Sequence, residues 1–239
     1  MDTLLEKTVG EIVAANYKAA DVFKKYGIDF CCGGGVGLSE ICRRKSIILS
    51  DLENDLELLS NQKETSHDFN RWSLGFLMDY IVNQHHSYVT ENIPLIIQYS
   101  DKVARVHGEN HPETVEINEL FHEVSAELKN HMHKEERILF PYIKQMVKAE
   151  KNEKPFPQAP FGTVDNPIRM MENEHETAGD IFKRIAAISD NYTPPLAACN
   201  TYRVLYAKLQ EFESDLHKHV HLENNILFPK ASKLEKMMN

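Results

Sequence analysis

Long apolar runs and blocks of basic charge are both missing from this 239-residue sequence. No stretch of about 18 apolar residues is present, so we expect no membrane-spanning helix. The formal net charge is −9 and the basic residues are scattered, which argues against nucleic acid as a partner. The first residues, Met1–Glu6, lack the basic and then apolar order of a secretory signal, so we expect no export.

Cysteine is also scarce, with four residues in the whole chain. Small secreted domains that depend on disulfides carry many more per residue, so the sequence excludes a disulfide framework. This scarcity favours a reducing, cytoplasmic setting. Two of the four, Cys31 and Cys32, are adjacent, whereas Cys42 and Cys199 are isolated and are expected in the core.

Patterns typical of β-strands are almost absent, and helical periodicity dominates from Trp72 onward. Modest connections between long helices indicate an up-down four-helix bundle, so the predicted fold class is all-α. The four predicted helices cover approximately residues 73–107, 112–150, 166–189 and 195–236.

The chain is long for one domain and fits two. Residues 1–68 predict a small helical domain, whose polar segment 60–68 is the linker, and residues 69–239 predict the bundle. Within the small domain, an apolar stripe predicts a single helix over Thr8–Tyr26, ended by Gly27.

Histidine is the residue type in excess, with 12 in the chain. Two segments are copies of one motif, His-x-His-x-Glu-x-x-Ile-Leu-Phe-Pro, at His131–Pro141 and His219–Pro229. Seven of the eleven positions are identical between the copies, which lie 88 residues apart. Such a repeat is hard to obtain by chance, so we interpret the bundle as two related helix pairs.

The spacing inside the motif places an imidazole and a carboxylate on one helix face, because residues four apart lie above each other. His131 is related in this way to Glu135, and His219 to Glu223. The imidazole offers a nitrogen ligand, and the carboxylate can bridge two metal ions. Each copy therefore predicts half of a two-metal site, with donors suited to iron, manganese or zinc.

One earlier histidine is expected to complete each half. On the third helix His175 is available, 44 residues before His219. The corresponding position in the first half falls on the pair His85-His86, and His86 lies 45 residues before His131. We predict His86 as the ligand and keep His85 as the alternative. The full predicted shell is His86, His131, Glu135, His175, His219 and Glu223.

The competing interpretation is that these residues form weak pairs on a solvated helix face. Two motif copies with matching earlier histidines favour the metal site, since burying histidines and carboxylates is costly unless they are paired or metal-bound.

His107, at the end of the first long helix, is a further candidate ligand. His133 and His221 lie on another helix face and are expected beside the ligands or at the surface. Glu127 and Glu174 could orient imidazoles.

The adjacent cysteines belong to a glycine loop, Cys31–Gly35, which is not a Cys-x-x-Cys motif. Three consecutive glycines predict a loop rather than a helix. A disulfide between neighbouring cysteines is strained and easily reduced. Two interpretations stay open: redox thiols that react or hold a metal transiently, or a tight buried turn with inert thiols.

The loop and the repeat together resemble one family. A short N-terminal domain with Asp29–Gly34 is joined to a bundle with His131–Pro141, Met171–His175 and Leu222–Pro229. This set is similar to the iron–sulfur cluster repair di-iron proteins, or repair of iron centres family, and the resemblance covers nearly the whole chain. One departure is His85, where the family pattern has an aromatic residue.

The resemblance implies a hemerythrin-like bundle that holds two non-haem irons with an oxo bridge. The implied ligands are His86 with His131 on one iron, His175 with His219 on the other, and Glu135 with Glu223 as bridges. It also raises His107 as a residue near the site, because Arg105–His107 resembles a family segment.

The family is associated with restoring iron–sulfur clusters damaged by nitric oxide or peroxide, by iron donation or by nitric oxide reduction. We therefore expect damaged iron–sulfur proteins as partners, nitric oxide or oxygen species as small ligands, and a homodimer. Two alternatives stay open: a reversible oxygen or nitric oxide binding or sensing protein, and a structural protein without metal.

Overall fold

Helices make up the regular structure of this chain in the computed structural model, which describes residues 6–60, 68–153 and 159–238. Over those residues no β-strand is present, and extended backbone pairs only in two isolated bridges. The predicted all-α class is confirmed. None of the helices in these ranges is both long and apolar enough to cross a membrane.

Backbone contacts divide the chain into two compact units. The first combines residues 1–77 with residues 220–239, and the second is residues 78–219. The first unit therefore contains both ends of the chain. Most of the predicted linker 60–68 lies outside the described residues, so the predicted domain boundary at residue 68 stays a prediction.

Four short helices open the first unit: α1 (Val9–Ala15), α2 (Ala19–Lys25), α3 (Leu38–Lys45) and α4 (Leu49–Ser60). The prediction of one helix where α1 and α2 stand is wrong. Asn16 adopts an extended backbone after α1, and its side-chain oxygen accepts a hydrogen bond from the Lys18 amide at 3.1 Å. This local bond competes with the helical ladder, so the chain turns.

The two ends of the α1–α2 hairpin follow from sequence. Thr8 and Glu11 form a capping box, in which each side chain accepts a hydrogen bond from the other residue's amide. Gly27 follows α2 with a φ of +62°, as expected of the residue that ends a helix. Phe23 and Leu38 have no exposed area and form part of the core.

Four long helical stretches follow, close to the predicted ranges. The first contains α5 (Leu74–Tyr80), a π-helical turn (Ile81–His86) and α6 (Ser87–His107). The second contains α7 (Glu113–Lys134), a π turn (Glu135–Leu139) and α8 (Phe140–Lys151). The third is α9 (Asp165–Ile188). The fourth contains α10 (Asn200–Leu222), a π turn (Glu223–Leu227) and α11 (Phe228–Met238).

Within residues 78–219 the bundle core is aromatic. Helix α7 packs against both α6 and α9. The ring centroids of Phe121 and Phe182 each lie 5.6 Å from that of Phe212, and all three side chains are buried. They come from α7, α9 and α10, so one cluster joins three helices. Truncating such a ring to alanine typically costs about 3–5 kcal/mol.

Candidate metal centre

Three π-helical turns interrupt the long helices, and each contains a predicted ligand at one end. His86 ends the first turn, Glu135 begins the second and Glu223 begins the third. Pro141 and Pro229 follow the second and third turns after one intervening residue. Proline lacks an N–H and clashes with the carbonyl four residues earlier, which accounts for a widened helix there. Such turns are concentrated at functional sites.

Two imidazoles converge on one buried carboxylate. The Nε2 atoms of His86 and His131 lie 3.3 and 3.4 Å from Glu135 Oε2. Each histidine is 2% exposed, and Glu135 has no exposed area. A buried carboxylate costs much free energy unless its charge is balanced, so this arrangement favours a positive charge at the same point.

The opposite ring nitrogens face further carboxylates. His86 Nδ1 donates to Glu136 Oε1 at 2.8 Å, and His131 Nδ1 donates to Glu174 Oε2 at 2.9 Å. The hydrogen bonds from His131 and from Lys134 lower the pKa of Glu174 to about 2. An ionised carboxylate only accepts hydrogen bonds, so Nδ1 carries the proton. Nε2 of the neutral ring then presents its lone pair to the site.

A third imidazole faces the same point. His175 Nε2 lies 3.0 Å from His131 Nε2, and both rings are buried. A proton on either nitrogen would join the two rings in a hydrogen bond, whereas a cation among the imidazoles and the carboxylate would stabilise all of these donors together. The residues present therefore fit a bound metal ion, and nitrogen and oxygen donors suit iron, manganese or zinc.

The donor atoms form two clusters that share Glu135. In one cluster the donors of His86, Glu135 and His219 lie within 4.8 Å of one another, and in the other those of His131, Glu135 and His175 do. The pairing implied by the resemblance, which put His86 with His131, is therefore wrong. Each cluster takes one histidine from each helix pair, because packing between the pairs decides which imidazoles are neighbours.

The sixth predicted ligand, Glu223, follows His219 by four residues, where α10 continues into the third π turn. This spacing puts the two side chains on one helix face. Glu223 has no exposed area. The second motif copy thus repeats the local relation between His131 and Glu135 in the first.

The alternative ligand His85 lies beside the site. Within the described part of the chain, neither donor cluster includes it. Its Nδ1 donates to Asp215 Oδ1 at 2.9 Å, and its ring stacks on that of His219 with 5.4 Å between centroids. Packing therefore favours the second residue of the His85-His86 pair as the ligand.

The other candidate ligand, His107, lies away from both clusters, as far as the described residues show. Its Nε2 is 3.3 Å from the Sγ of Cys199.

Cys199 is exposed just before α10, so its predicted core position is wrong, whereas Cys42 is buried as predicted.

His133 and His221 hold the same position in the two motif copies but have opposite environments. His133 is exposed, whereas His221 has no exposed area. The ring of His221 lies 6.0 Å, between centroids, from the rings of Tyr17 and Phe30. Burial lowers the pKa of His221 to about 4, so this imidazole is neutral. The two histidines look alike in the sequence, and only packing distinguishes their environments.

Both cysteines of the loop are free thiols, with Sγ atoms 3.9 Å apart. Asp29 holds their backbone, because its Oδ1 accepts hydrogen bonds from the amides of Cys31 and Cys32, each at 3.1 Å. Cys31 is buried and Cys32 is partly exposed. The loop is therefore a tight turn with one accessible thiol, and it combines features of both interpretations.

Asn225 fastens this loop to the third π turn. Its Nδ2 donates to the carbonyl oxygens of Phe30 at 3.3 Å and Cys31 at 3.2 Å. Two glycines leave room for the side chain. A Cβ built on Gly10 or Gly34 would lie 2.2 or 2.7 Å from Asn225 Oδ1, which is closer than real contacts allow.

Three of these partners were not predicted from the sequence: Glu136, Asp215 and Asn225. The two acidic residues carry no local signal, because charged residues on helix faces are common. Asn225 did carry one, since the first motif copy has Arg137 at the same position. Of the two glutamates predicted to orient imidazoles, Glu174 does so and Glu127 is exposed.

A helical bundle with buried histidine and carboxylate clusters defines a cation-binding domain of the hemerythrin type. The family model described as "Hemerythrin HHE cation binding domain" matches residues 77–231. A second model, described as "Domain of Unknown function (DUF542)", matches residues 5–60.

Curated relatives match almost the whole chain. The "Probable iron-sulfur cluster repair protein" of Haemophilus influenzae is 33% identical over 228 residues, which cover 95% of this chain and 96% of the relative. The "Iron-sulfur cluster repair protein YtfE" of Yersinia pseudotuberculosis is 33% identical over 225 residues, covering 94% and 96%. The protein of that name from Pectobacterium carotovorum is 35% identical over 226 residues, covering 95% and 96%. The chain belongs to the iron–sulfur cluster repair protein family.

Proposed function

We propose that this chain repairs iron–sulfur clusters damaged by nitric oxide or oxidants, using two non-haem iron ions held in the bundle. One observation carries the proposal: Glu135 belongs to both donor clusters. A carboxylate common to two clusters suits a pair of metal ions, as in other di-iron bundles. The proposed ligands are His86 and His219 on one iron, His131 and His175 on the other, and Glu135 and Glu223 as bridges.

Bound irons with an oxo bridge would supply redox chemistry, open positions for nitric oxide or an oxygen species, and iron to donate. The residues of the chain fix the geometry. Glu136 and Glu174 hold the protons on Nδ1 of His86 and His131, which keeps both Nε2 atoms directed inward. The ring of Phe140 stacks on His86 with 5.9 Å between centroids and covers that imidazole.

Reversible binding of oxygen or nitric oxide is the alternative for a hemerythrin-like bundle. Oxygen carriers of this type use five histidine ligands. The two clusters contain four histidines within the described ranges, and His85 and His107 belong to neither. The matched relatives are also named as repair proteins, so carrying or sensing is not favoured.

The proposed partners are proteins with damaged iron–sulfur clusters, and the proposed setting is the cytoplasm. The four cysteines are all free thiols, which supports a reducing compartment. The resemblance also implies a homodimer, and the mass of the protein in solution tests that point.

Metal analysis and a repair assay test the proposal together. Purified protein should hold two irons per chain and should restore activity to an enzyme whose iron–sulfur cluster nitric oxide has damaged. Glu135→Leu removes the shared carboxylate and should lose at least one iron and most of the repair. His133→Leu changes an exposed residue of the same motif and should keep both irons and the repair activity. Repair at the wild-type rate by an iron-depleted Glu135→Leu protein would refute the proposal.

A further inference from the structure

The cysteine loop gathers three donor atoms of its own. One carboxylate oxygen of Asp29 and the Sγ atoms of Cys31 and Cys32 lie within 4.8 Å of one another. The Sγ of Cys31 is 3.2 Å from Asp29 Oδ1 and 3.9 Å from Cys32 Sγ. None of these donors belongs to the two clusters that share Glu135.

The backbone of the loop holds these donors in a fixed arrangement. Asp29 Oδ1 accepts from both cysteine amides, and Asn225 donates to the carbonyls of Phe30 and Cys31. The turn is closed so tightly that a Cβ built on Gly34 would lie 2.5 Å from the carbonyl oxygen of Phe30. A donor set held in place by surrounding hydrogen bonds needs little reorganisation to bind a ligand.

We propose that Asp29, Cys31 and Cys32 form a second metal site, which binds one divalent transition-metal ion of intermediate softness, such as Fe²⁺ or Zn²⁺. Two thiolates and a carboxylate suit such an ion and leave a coordination position open. Each thiol releases its proton to solvent as its sulfur coordinates, and the metal stays divalent. This binding does not depend on the proposed repair function. Within that function, the site would hold iron in transit, with the open position available to another protein.

Cys31 lacks the environment of a reactive cysteine. The hydrogen bond with Cys32 and burial raise the pKa of the Cys31 thiol well above its usual range. Reactive cysteines have the opposite shift, because the thiolate is the nucleophile. A bound cation supplies the positive charge that these thiols otherwise lack, and it deprotonates a coordinating thiol.

Cobalt(II) titration of the full-length protein under anaerobic conditions tests the second site. Thiolate coordination to cobalt gives a sulfur-to-metal charge-transfer absorption that histidine and carboxylate ligands do not give. The wild-type protein should therefore show this absorption, saturating at one cobalt per chain. The double variant Cys31→Ser, Cys32→Ser should lose it entirely. Cys199→Ser, which removes an exposed thiol next to His107, should keep it.

Milder variants distinguish loss of metal binding from loss of the fold. Asp29→Asn keeps an oxygen that accepts the two amide hydrogen bonds but removes the charge, so the cobalt affinity should fall at least about tenfold while the helical circular dichroism stays constant. Glu135→Leu should keep the charge-transfer absorption, because it alters only the bundle clusters. Absence of the absorption in wild type, its persistence in the double cysteine variant, or its loss in Cys199→Ser would overturn the proposal.

Discussion

The Nε2 atoms of His131 and His175 lie 3.0 Å apart, between helices α7 and α9. Their ring centroids are 4.6 Å apart, and those of His86 and His219 are 5.0 Å apart. In each case the near neighbour comes from the other helix pair. The duplicated halves of the bundle therefore do not each form one donor cluster, and each cluster draws on both halves.

This pairing predicts different outcomes for two double variants. His131→Ala, His175→Ala removes both histidines of one cluster, so we expect about one metal ion per chain to remain, held by His86 and His219. His86→Ala, His175→Ala removes one histidine from each cluster and should weaken both. Metal content after gel filtration measures the difference. Equal losses in the two variants would contradict the pairing.

Glu174→Gln should weaken metal binding by about 10–100-fold, as loss of a partner behind a ligand typically does. The charge that holds the proton on His131 Nδ1 is removed, while the ligand itself stays in place. Competition with a chelator measures the affinity. Glu127→Gln, an exposed change on α7, is the matched control and should leave the affinity unchanged. An effect of the same size in both variants would contradict the prediction that Glu174 supports metal binding through His131.

Gly34→Ala should destabilise the first unit by about 1–3 kcal/mol, the usual cost of overpacking. The new methyl group would meet the carbonyl oxygen of Phe30 at 2.5 Å and the side chain of Asn225. Gly35→Ala is the matched control, since nothing lies within 4 Å of its Cβ position, and it should change stability by less than about 0.5 kcal/mol. Denaturant unfolding measures both, and equal stabilities would show that the close packing is not needed.

Asn225→Arg introduces arginine at the position where the first motif copy has Arg137. The arginine side chain does not fit between Gly10 and Gly34, and the hydrogen bonds to Phe30 and Cys31 are lost. Hydrogen exchange of the amides in residues 29–35 should therefore speed up at least about tenfold, which corresponds to about 1.4 kcal/mol. The reciprocal variant Arg137→Asn changes an exposed residue and should leave that exchange unaltered.

The members of the two donor clusters could be predicted because their spacing is a local property of a helix. An interval of four residues fixes the relation of His131 to Glu135, and the repeat transfers it to His219 and Glu223. The earlier histidines came from matching intervals. Choosing between His85 and His86 needed more than an interval, because it depends on which ring faces Glu135.

The remaining features depend on contacts between segments that are distant in the sequence. The motif contains His133 and His221 at equivalent positions, yet only the second is covered, by Tyr17 and Phe30. Helical periodicity also assumes a constant number of residues per turn, so it could not show the π turn at Glu135–Leu139. The pairing of imidazoles between the two helix pairs could not be predicted, because it depends on contacts between segments that are distant in the sequence.

The first compact unit contains both ends of the chain, residues 1–77 and 220–239. During synthesis, helices α1 to α4 leave the ribosome well before the π turn whose Asn225 holds their cysteine loop. This unit can therefore complete its packing only after residues 220–239 have been made. A fragment ending before residue 220 would lack part of the core of the first unit, so a stand-alone version of that unit needs residues 220–239 supplied through a new connection.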